Sequence, residues 1–202
     1  MPSDRNPVLL IHGIYDTVAK FATLTAYLEQ DGWSVHCLNL TPNDGSASLA
    51  TLAEQVADYV QKNFAPEQKI DLLGFSMGGI VTRYYLQRLG GHTQVQRYIS
   101  ISAPNNGTWL GFGLPRTGVL QMRPGSAFLE DLNRDYATTL ANLQITILWT
   151  PYDLMILPPI SSRLAIGKEI VIPIPLHAWM VSDQRTLETV KELLLESPNS
   201  YT

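Results

Sequence analysis

Cysteine and long apolar runs are both scarce in this chain of 202 residues. The single cysteine, Cys37, has no partner for an internal disulfide, so the fold needs no oxidising compartment. Its apolar neighbours predict a buried, inert thiol. No window approaches the roughly 18 apolar residues of a membrane-spanning helix, and the first residues are too polar for a signal peptide. We therefore expect a cytoplasmic protein without a transmembrane segment.

Charge of either sign is also limited. The chain has 14 Lys and Arg against 18 Asp and Glu, a net charge of −4, with no basic block. This balance predicts no nucleic-acid partner. No cluster of His, Cys and carboxylates has metal-ligand spacing, and the glycine-rich run 74–79 lacks the lysine of a phosphate-binding loop. The sequence therefore predicts neither a metal nor a cofactor.

Short apolar runs alternate with segments of helical periodicity over most of the chain. The first run, 8–11, is bounded by Pro7 and Gly13, which is typical of a strand buried on both faces. Such alternation predicts an α/β fold, with a mainly parallel sheet and helices on both faces. The predicted strands are 8–11, 33–40, 70–75, 95–102, 144–150 and 169–172, and the predicted helices include 21–30, 77–89 and 183–195.

The alternation is interrupted between residues 103 and 143. Glycine and proline are frequent there, and 126–134 is the one segment of this stretch that we predict to be helical. A connection of this length is usually functional. We expect a single domain over 1–202, with 103–143 as a short insertion or small cap over the active site.

The run Gly74-Phe75-Ser76-Met77-Gly78-Gly79 falls where a predicted strand meets a predicted helix. A sharp strand-to-helix turn there presents the Ser76 hydroxyl at the carboxyl edge of the sheet, and the flanking glycines remove side chains that would collide. The Met77 N–H, at the helix start, then suits an oxyanion. The alternative is a glycine-rich turn that only tightens helix–strand packing.

This run resembles the nucleophile elbow of bacterial lipases and esterases, and His12-Gly13 after the first strand resembles their oxyanion-loop signature. The similarity in layout extends over most of the chain and is to the small, nearly lidless lipases of the α/β-hydrolase superfamily. It implies an α/β-hydrolase fold and cofactor-free hydrolysis of carboxylic esters through an acyl-enzyme. A small-molecule or lipid ester, with transient contact to a lipid interface, is the implied partner.

The resemblance also assigns the remaining catalytic roles. In the α/β-hydrolase superfamily, the nucleophile, the acid and the histidine follow in that order along the chain. Of the four histidines, only His177 comes late enough, after the last predicted strand, to act as the base. The Ile14 N–H occupies the position of the second oxyanion donor, and we expect His12 to brace its loop.

The acid must follow a strand between Ser76 and His177. Asp153 comes directly after the strand 144–150, whereas Glu169 opens a strand and the other acids fall in the insertion. Asp153 is therefore the predicted acid, which would fix the imidazole of His177. The alternative for Asp153 is an ordinary turn-initiating aspartate.

Two apolar segments, 109–115 and 154–160, flank this catalytic edge. They are interpreted either as an acyl-binding wall or small lid, or as segments that pack on the core. The candidate substrate-binding residues are Tyr15, Trp109, Leu154 and Ile156.

Three functions remain compatible with these residues. The first is an esterase or lipase, and the second an acyltransferase or thioesterase that uses the same triad. The third is a catalytically silent binding module, which would most simply lack one triad member. The sequence does not identify a substrate.

Overall fold

Six strands form one parallel sheet in the computed structural model, which describes residues 5–197. In chain order they are β1 (Val8–Ile11), β2 (Val35–Leu38), β3 (Ile70–Phe75), β4 (Val95–Ile101), β5 (Gln144–Trp149) and β6 (Lys168–Val171). Their spatial order is β2-β1-β3-β4-β5-β6, and every neighbouring pair is parallel. The predicted parallel sheet is therefore confirmed.

Six α-helices connect the strands or follow them. They are α1 (Ala22–Gln30), α2 (Leu49–Asn63), α3 (Met77–Arg88), α4 (Thr117–Gln121), α5 (Ala127–Thr139) and α6 (Gln184–Leu195). The buried residues of α2 to α5 pack with one face of the sheet, and those of α1 and α6 pack with the other. Helices on both faces are thus confirmed. Within residues 5–197, no helix has the length and apolarity that crossing a membrane requires.

The central strands are apolar because both faces of the sheet are covered. All four residues of β1 are buried, and successive side chains alternate between the two cores, with Leu9 on the α2 side and Leu10 on the α1 side. All six residues of β3 are also buried. This burial fixes the strand that leads directly into Ser76.

Residues 103–143 connect the carboxyl end of β4 to the start of the parallel strand β5, and their buried residues pack on the α2 side of the sheet. A short 3₁₀ helix (Trp109–Phe112), α4 and α5 lie within this stretch. The helix predicted over 126–134 begins one residue later and continues to Thr139. Its start follows from the cap, since the Ser126 hydroxyl accepts a hydrogen bond from the Leu129 N–H at 3.2 Å.

Arg83 fastens this stretch to α3. Its guanidinium is fully buried and donates to Asn105 at 3.3 Å and to the Leu132 carbonyl at 3.1 Å. Burial lowers the pKa of Arg83 to about 10, which leaves it protonated at neutral pH. The buried Arg83 cation, which belongs to α3, thus joins that helix to the segment after β4 and to α5.

Candidate active site

Ser76 lies in a strained turn between β3 and α3. Its backbone has φ 54° and ψ −126°, a conformation that few residues with a side chain adopt. The neighbouring glycines are required by close packing: a Cβ at Gly74 would lie 2.5 Å from Thr82 Oγ1, and one at Gly78 would overlap the Ile11 and His12 carbonyls. The collisions expected from the sequence are confirmed, and they fix Ser76 at the carboxyl edge of the sheet.

Asp153 and His177 approach this edge from two other loops. The buried Asp153 follows β5, and its Oδ2 lies 2.7 Å from His177 Nδ1. Its Oδ1 accepts hydrogen bonds from the Met155 and Ile156 N–H groups, both at 2.9 Å. The carboxylate is therefore held on both oxygens, and its hydrogen bond orients the imidazole.

The His177 ring also packs beside the nucleophile turn. Its centroid lies 4.8 Å from that of Phe75, the residue that precedes Ser76. Because Asp153 occupies Nδ1, Nε2 is the nitrogen left to face a substrate or a hydroxyl. Within residues 5–197, the Ser76 hydroxyl makes no hydrogen bond, which leaves it free to rotate.

Two backbone N–H groups beside Ser76 are also without an acceptor in the described part of the chain. One is Met77 N–H, at the start of α3, where the helix dipole favours negative charge. The other is Ile14 N–H, in the loop after β1. A Cβ on the intervening Gly13 would lie 2.9 Å from Ser76 Cβ, so this loop lies directly against the nucleophile.

His12 sets the orientation of that loop. Its Nε2 accepts the Leu40 N–H at 3.0 Å, so Nδ1 carries the proton and donates to the Gly13 carbonyl at 2.8 Å. In a trans peptide the Gly13 carbonyl and the Ile14 N–H point in opposite directions. Holding the carbonyl toward the buried His12 therefore directs the Ile14 N–H away from the core. The predicted brace is confirmed.

An apolar cavity of about 300 Å³ opens beside Ser76. Its walls come from the loop after β1, the 103–143 stretch and the loop after β5. The lining residues are Ile14, Tyr15, Ser76, Pro104, Thr108, Leu110, Gly111, Leu114, Val119, Met122, Met155 and Ile156. Because these side chains are mostly aliphatic, the cavity suits the hydrocarbon part of a substrate.

The four candidate substrate-binding residues fall into two groups. Tyr15 and Ile156 line the cavity. Trp109 and Leu154 do not line it, and their side chains are 67% and 69% exposed. The backbone directions at these positions turn each side chain outward while its neighbour, Leu110 or Met155, faces the cavity.

Thr108 is a functional position that the sequence reasoning missed. Its hydroxyl donates to the Met155 carbonyl and accepts the Leu157 N–H, both at 2.9 Å, and thereby joins the two apolar segments. Arg116 was missed as well: it donates to the Tyr15 hydroxyl at 3.0 Å and pairs with Asp44 at 3.0 Å. A lone threonine or arginine in a loop carries no sequence signal for such contacts, which depend on the tertiary fold.

Comparison with known proteins gives this site a family context. A family model described as Palmitoyl protein thioesterase matches residues 7–122, more than half of the chain. The chain is 34% identical over 110 residues to Lysosomal thioesterase PPT2 of Bos taurus. The aligned region covers 51% of this chain and 35% of that protein. It is 28% identical over 118 residues to Palmitoyl-protein thioesterase 3 of Dictyostelium discoideum, covering 56% of this chain and 39% of that protein.

These matches span less than two fifths of the length of either curated relative. The bovine relative is lysosomal by name, and the cytoplasmic location of this chain stays a prediction.

Solved structures match over almost the whole chain. The mature lipase BlEst2 of Bacillus licheniformis superposes with a TM-score of 0.79 at 15% identity, covering 96% of this chain and 94% of that one. The lin2722 product of Listeria innocua gives a TM-score of 0.73 at 14% identity, covering 96% and 95%. At identities this low, the superpositions bear on the fold alone. They confirm the predicted α/β-hydrolase fold.

Proposed function

The chain belongs to the palmitoyl protein thioesterase family, and from this membership we propose that it hydrolyses acyl thioesters through an acyl-enzyme on Ser76. The observation that carries the proposal is the position of Ser76. It lies between two free N–H groups and the His177 side of the site, at the opening of an apolar cavity. His177 is the proposed base and Asp153 the proposed acid.

Acylation begins with proton transfer from Ser76 to His177. A serine hydroxyl is weakly nucleophilic until a base removes its proton, and the proposed acceptor is His177 Nε2, the ring nitrogen that Asp153 leaves open. Hydrogen bonds of this kind often tighten only when a substrate is bound. The Oγ–carbonyl bond then forms, while Asp153 stabilises the imidazolium through the 2.7 Å hydrogen bond to Nδ1.

The oxyanion of the tetrahedral intermediate is assigned to the Ile14 and Met77 N–H groups. Both are backbone donors fixed before the substrate arrives, so no reorganisation is required when the charge develops. Collapse of the intermediate breaks the carbon–sulfur bond, and the thiolate takes the proton from His177. Water, deprotonated by the same imidazole, then cleaves the acyl-enzyme and restores Ser76.

Family membership favours a thioester over the oxygen ester that the sequence resemblance implied. An ordinary thiol has a pKa of about 8.5, so its anion is a far better leaving group than the anion of an alcohol. The same triad and oxyanion donors act on either substrate, so esters of ordinary alcohols are expected as slower substrates. The cavity supports an acyl group as the recognised part in both cases.

The test compares a decanoyl thioester with ethyl decanoate on the purified full chain. Thioester hydrolysis is expected to have the higher kcat/KM. Ser76→Ala, His177→Gln and Asp153→Asn are each expected to lower kcat by about 10⁴-fold, because members of a triad act as a unit.

Surface substitutions provide matched controls. Ser34→Ala and His92→Gln change the same residue types away from the cavity and are expected to keep kcat within about twofold of the parent, as for surface changes away from a site. Substantial activity in Ser76→Ala would contradict the catalytic assignment. If the parent protein hydrolyses the oxygen ester but not the thioester, only the thioester assignment is contradicted.

A further inference from the structure

An apolar surface patch surrounds the opening of the cavity. It consists of Tyr15, Trp109, Leu110, Phe112, Leu154 and Met155, whose side chains are between 43% and 69% exposed. Tyr15, Leu110 and Met155 also line the cavity, so the patch and the cavity are continuous. We call these six residues the mouth patch.

The two segments that carry most of the mouth patch are rigidly joined. The Trp109 N–H donates to the Leu157 carbonyl at 2.9 Å, and Thr108 connects the same segments through its hydroxyl. Large side chains are therefore held outward by backbone hydrogen bonds. Exposed apolar side chains in a fixed arrangement usually mark a binding surface.

The charges beside the mouth patch favour an anionic or zwitterionic partner. Arg123 lies with its guanidinium carbon 4.7 Å from the Phe112 ring centre, and in residues 5–197 it forms no ion pair. Two acids near Tyr15 are paired with cations, Asp44 with Arg116 at 3.0 Å and Asp16 with Lys20 at 4.0 Å. Among the described residues, Arg123 is thus a cation beside the patch that has no carboxylate partner.

From this surface we infer that the mouth patch docks the protein on a phospholipid bilayer and presents the cavity to acyl chains held there. The choice of a bilayer rests on the proposed thioesterase function, because long acyl chains partition into membranes with an affinity that grows with each methylene. A protein bound permanently to the mouth patch would close the opening through which the acyl chain must pass. Trp and Tyr at the border of an apolar surface suit the headgroup region.

The docking step is tested apart from catalysis with the Ser76→Ala full chain. Co-flotation is measured with vesicles of phosphatidylcholine, alone and with one quarter phosphatidylglycerol, at low and high salt. The patch variant adds Trp109→Ser and Phe112→Ser. The matched control adds Leu89→Ser and Leu195→Ser, exposed leucines at the carboxyl ends of α3 and α6, on the opposite edge of the sheet.

The Ser76→Ala protein and the matched control are expected to float with both vesicle types, and the patch variant at least tenfold less. Because insertion is apolar, most binding is expected to persist at high salt. Thermal melting verifies that both variants are folded. No flotation of the Ser76→Ala protein, or equal flotation of the patch variant, overturns the proposal.

A second outcome would assign the mouth patch differently. If the parent is a dimer in sedimentation and the patch variant a monomer, a second copy of this chain occupies the patch, and bilayer docking is overturned. Hydrolysis of the decanoyl thioester by the parent is measured in parallel, without vesicles. Its absence would contradict the proposed function and leave the flotation result standing.

Discussion

Ser76 is kept in its conformation by residues that touch it rather than by its own preferences. A non-glycine residue at φ 54° costs about 1–3 kcal/mol, and the surrounding β3, α3 and Gly13 contacts over-determine it. The strain holds the hydroxyl and the Met77 N–H at one point. The loop after β1 adds the Ile14 N–H, which we propose as the second oxyanion donor.

Gly13→Ala tests how closely that loop approaches the nucleophile. Its methyl group would lie 2.9 Å from Ser76 Cβ and 3.3 Å from Ser76 Oγ, so the loop must shift away and take the Ile14 N–H with it. Loss of one oxyanion donor lowers kcat by about 10²- to 10³-fold, and we expect a fall of that size with a smaller change in KM.

The matched control for this substitution is Gly113→Ala. Its Cβ would meet only the Leu110 carbonyl, at 3.3 Å, and kcat is expected to stay within about threefold of the parent since nothing near Ser76 moves. Equal kcat values for Gly13→Ala and the parent protein would remove Ile14 from the oxyanion site.

At single residues, the sequence was informative where the chemistry leaves few alternatives. Chain order pointed to His177 and the position after a strand pointed to Asp153; the structure brings the two within 2.7 Å, and their catalytic roles stay predictions. It could not find Thr108, whose hydroxyl joins segments 47 and 49 residues away. The sequence also could not show that Trp109 faces outward while Leu110 faces the cavity, because that depends on how the 3₁₀ helix that carries both packs on the fold.

Among the elements, α3 connects the nucleophile to the insertion. Arg83 on α3 contributes donors to Asn105, Leu132 and Asn133, and the segment after Asn105 leads to the cavity wall. Unmade hydrogen bonds in a buried site are costly, so this network stabilises the insertion more than a surface ion pair would.

Arg83→Met is expected to lower the free energy of unfolding by about 2–4 kcal/mol, because several buried acceptors lose a charged donor. The loosened insertion should also lower kcat/KM for the decanoyl thioester. Denaturant titration measures the first effect. The control is Arg134→Met on α5, whose side chain is 74% exposed and whose change is expected to stay within about 0.5 kcal/mol. Equal unfolding midpoints for the two variants would contradict the account.

The accuracy of the predicted elements follows their physical basis. Strands β1 and β3 have the predicted bounds, because runs buried on both faces are apolar throughout. Edge strand β2 is shorter than the predicted 33–40, since the Leu40 N–H bonds to His12 rather than to the sheet. Helix α4, with five residues, was missed. Tertiary hydrogen bonds hold its ends: the Gly118 N–H donates to the Gly45 carbonyl, and the Leu49 N–H donates to Gln121 Oε1.

For the whole molecule, the cavity decides which acyl groups fit. Its walls join residues as distant in sequence as Tyr15 and Ile156, so no local pattern could predict its size. A volume of about 300 Å³ holds about ten groups of the size of water or methylene, at ~30 Å³ each. Under the proposed function, an acyl chain of about ten carbons fills the cavity and longer chains extend onto the mouth patch.

A thioester series from four to sixteen carbons tests this size. We expect kcat/KM to rise about two- to fourfold per methylene up to about ten carbons and then to level off, since later methylenes stay outside the cavity. Val119→Phe, in the cavity wall, is expected to shift the plateau to shorter chains, and Leu120→Phe, its outward-facing neighbour, is not. A rise that continues unchanged through sixteen carbons would contradict the assigned cavity.

The central claim is that Ser76 is the nucleophile that becomes acylated. Labelling with an alkyl fluorophosphonate tests this claim most directly. The reagent is added to the full chain, the modified peptide is mapped by mass spectrometry, and residual thioester hydrolysis is measured on the same sample. We predict one label per chain, on Ser76, with thioester hydrolysis lost in proportion to labelling. Undiminished hydrolysis by fully labelled protein, or inactivation with Ser76 unmodified, would contradict the account.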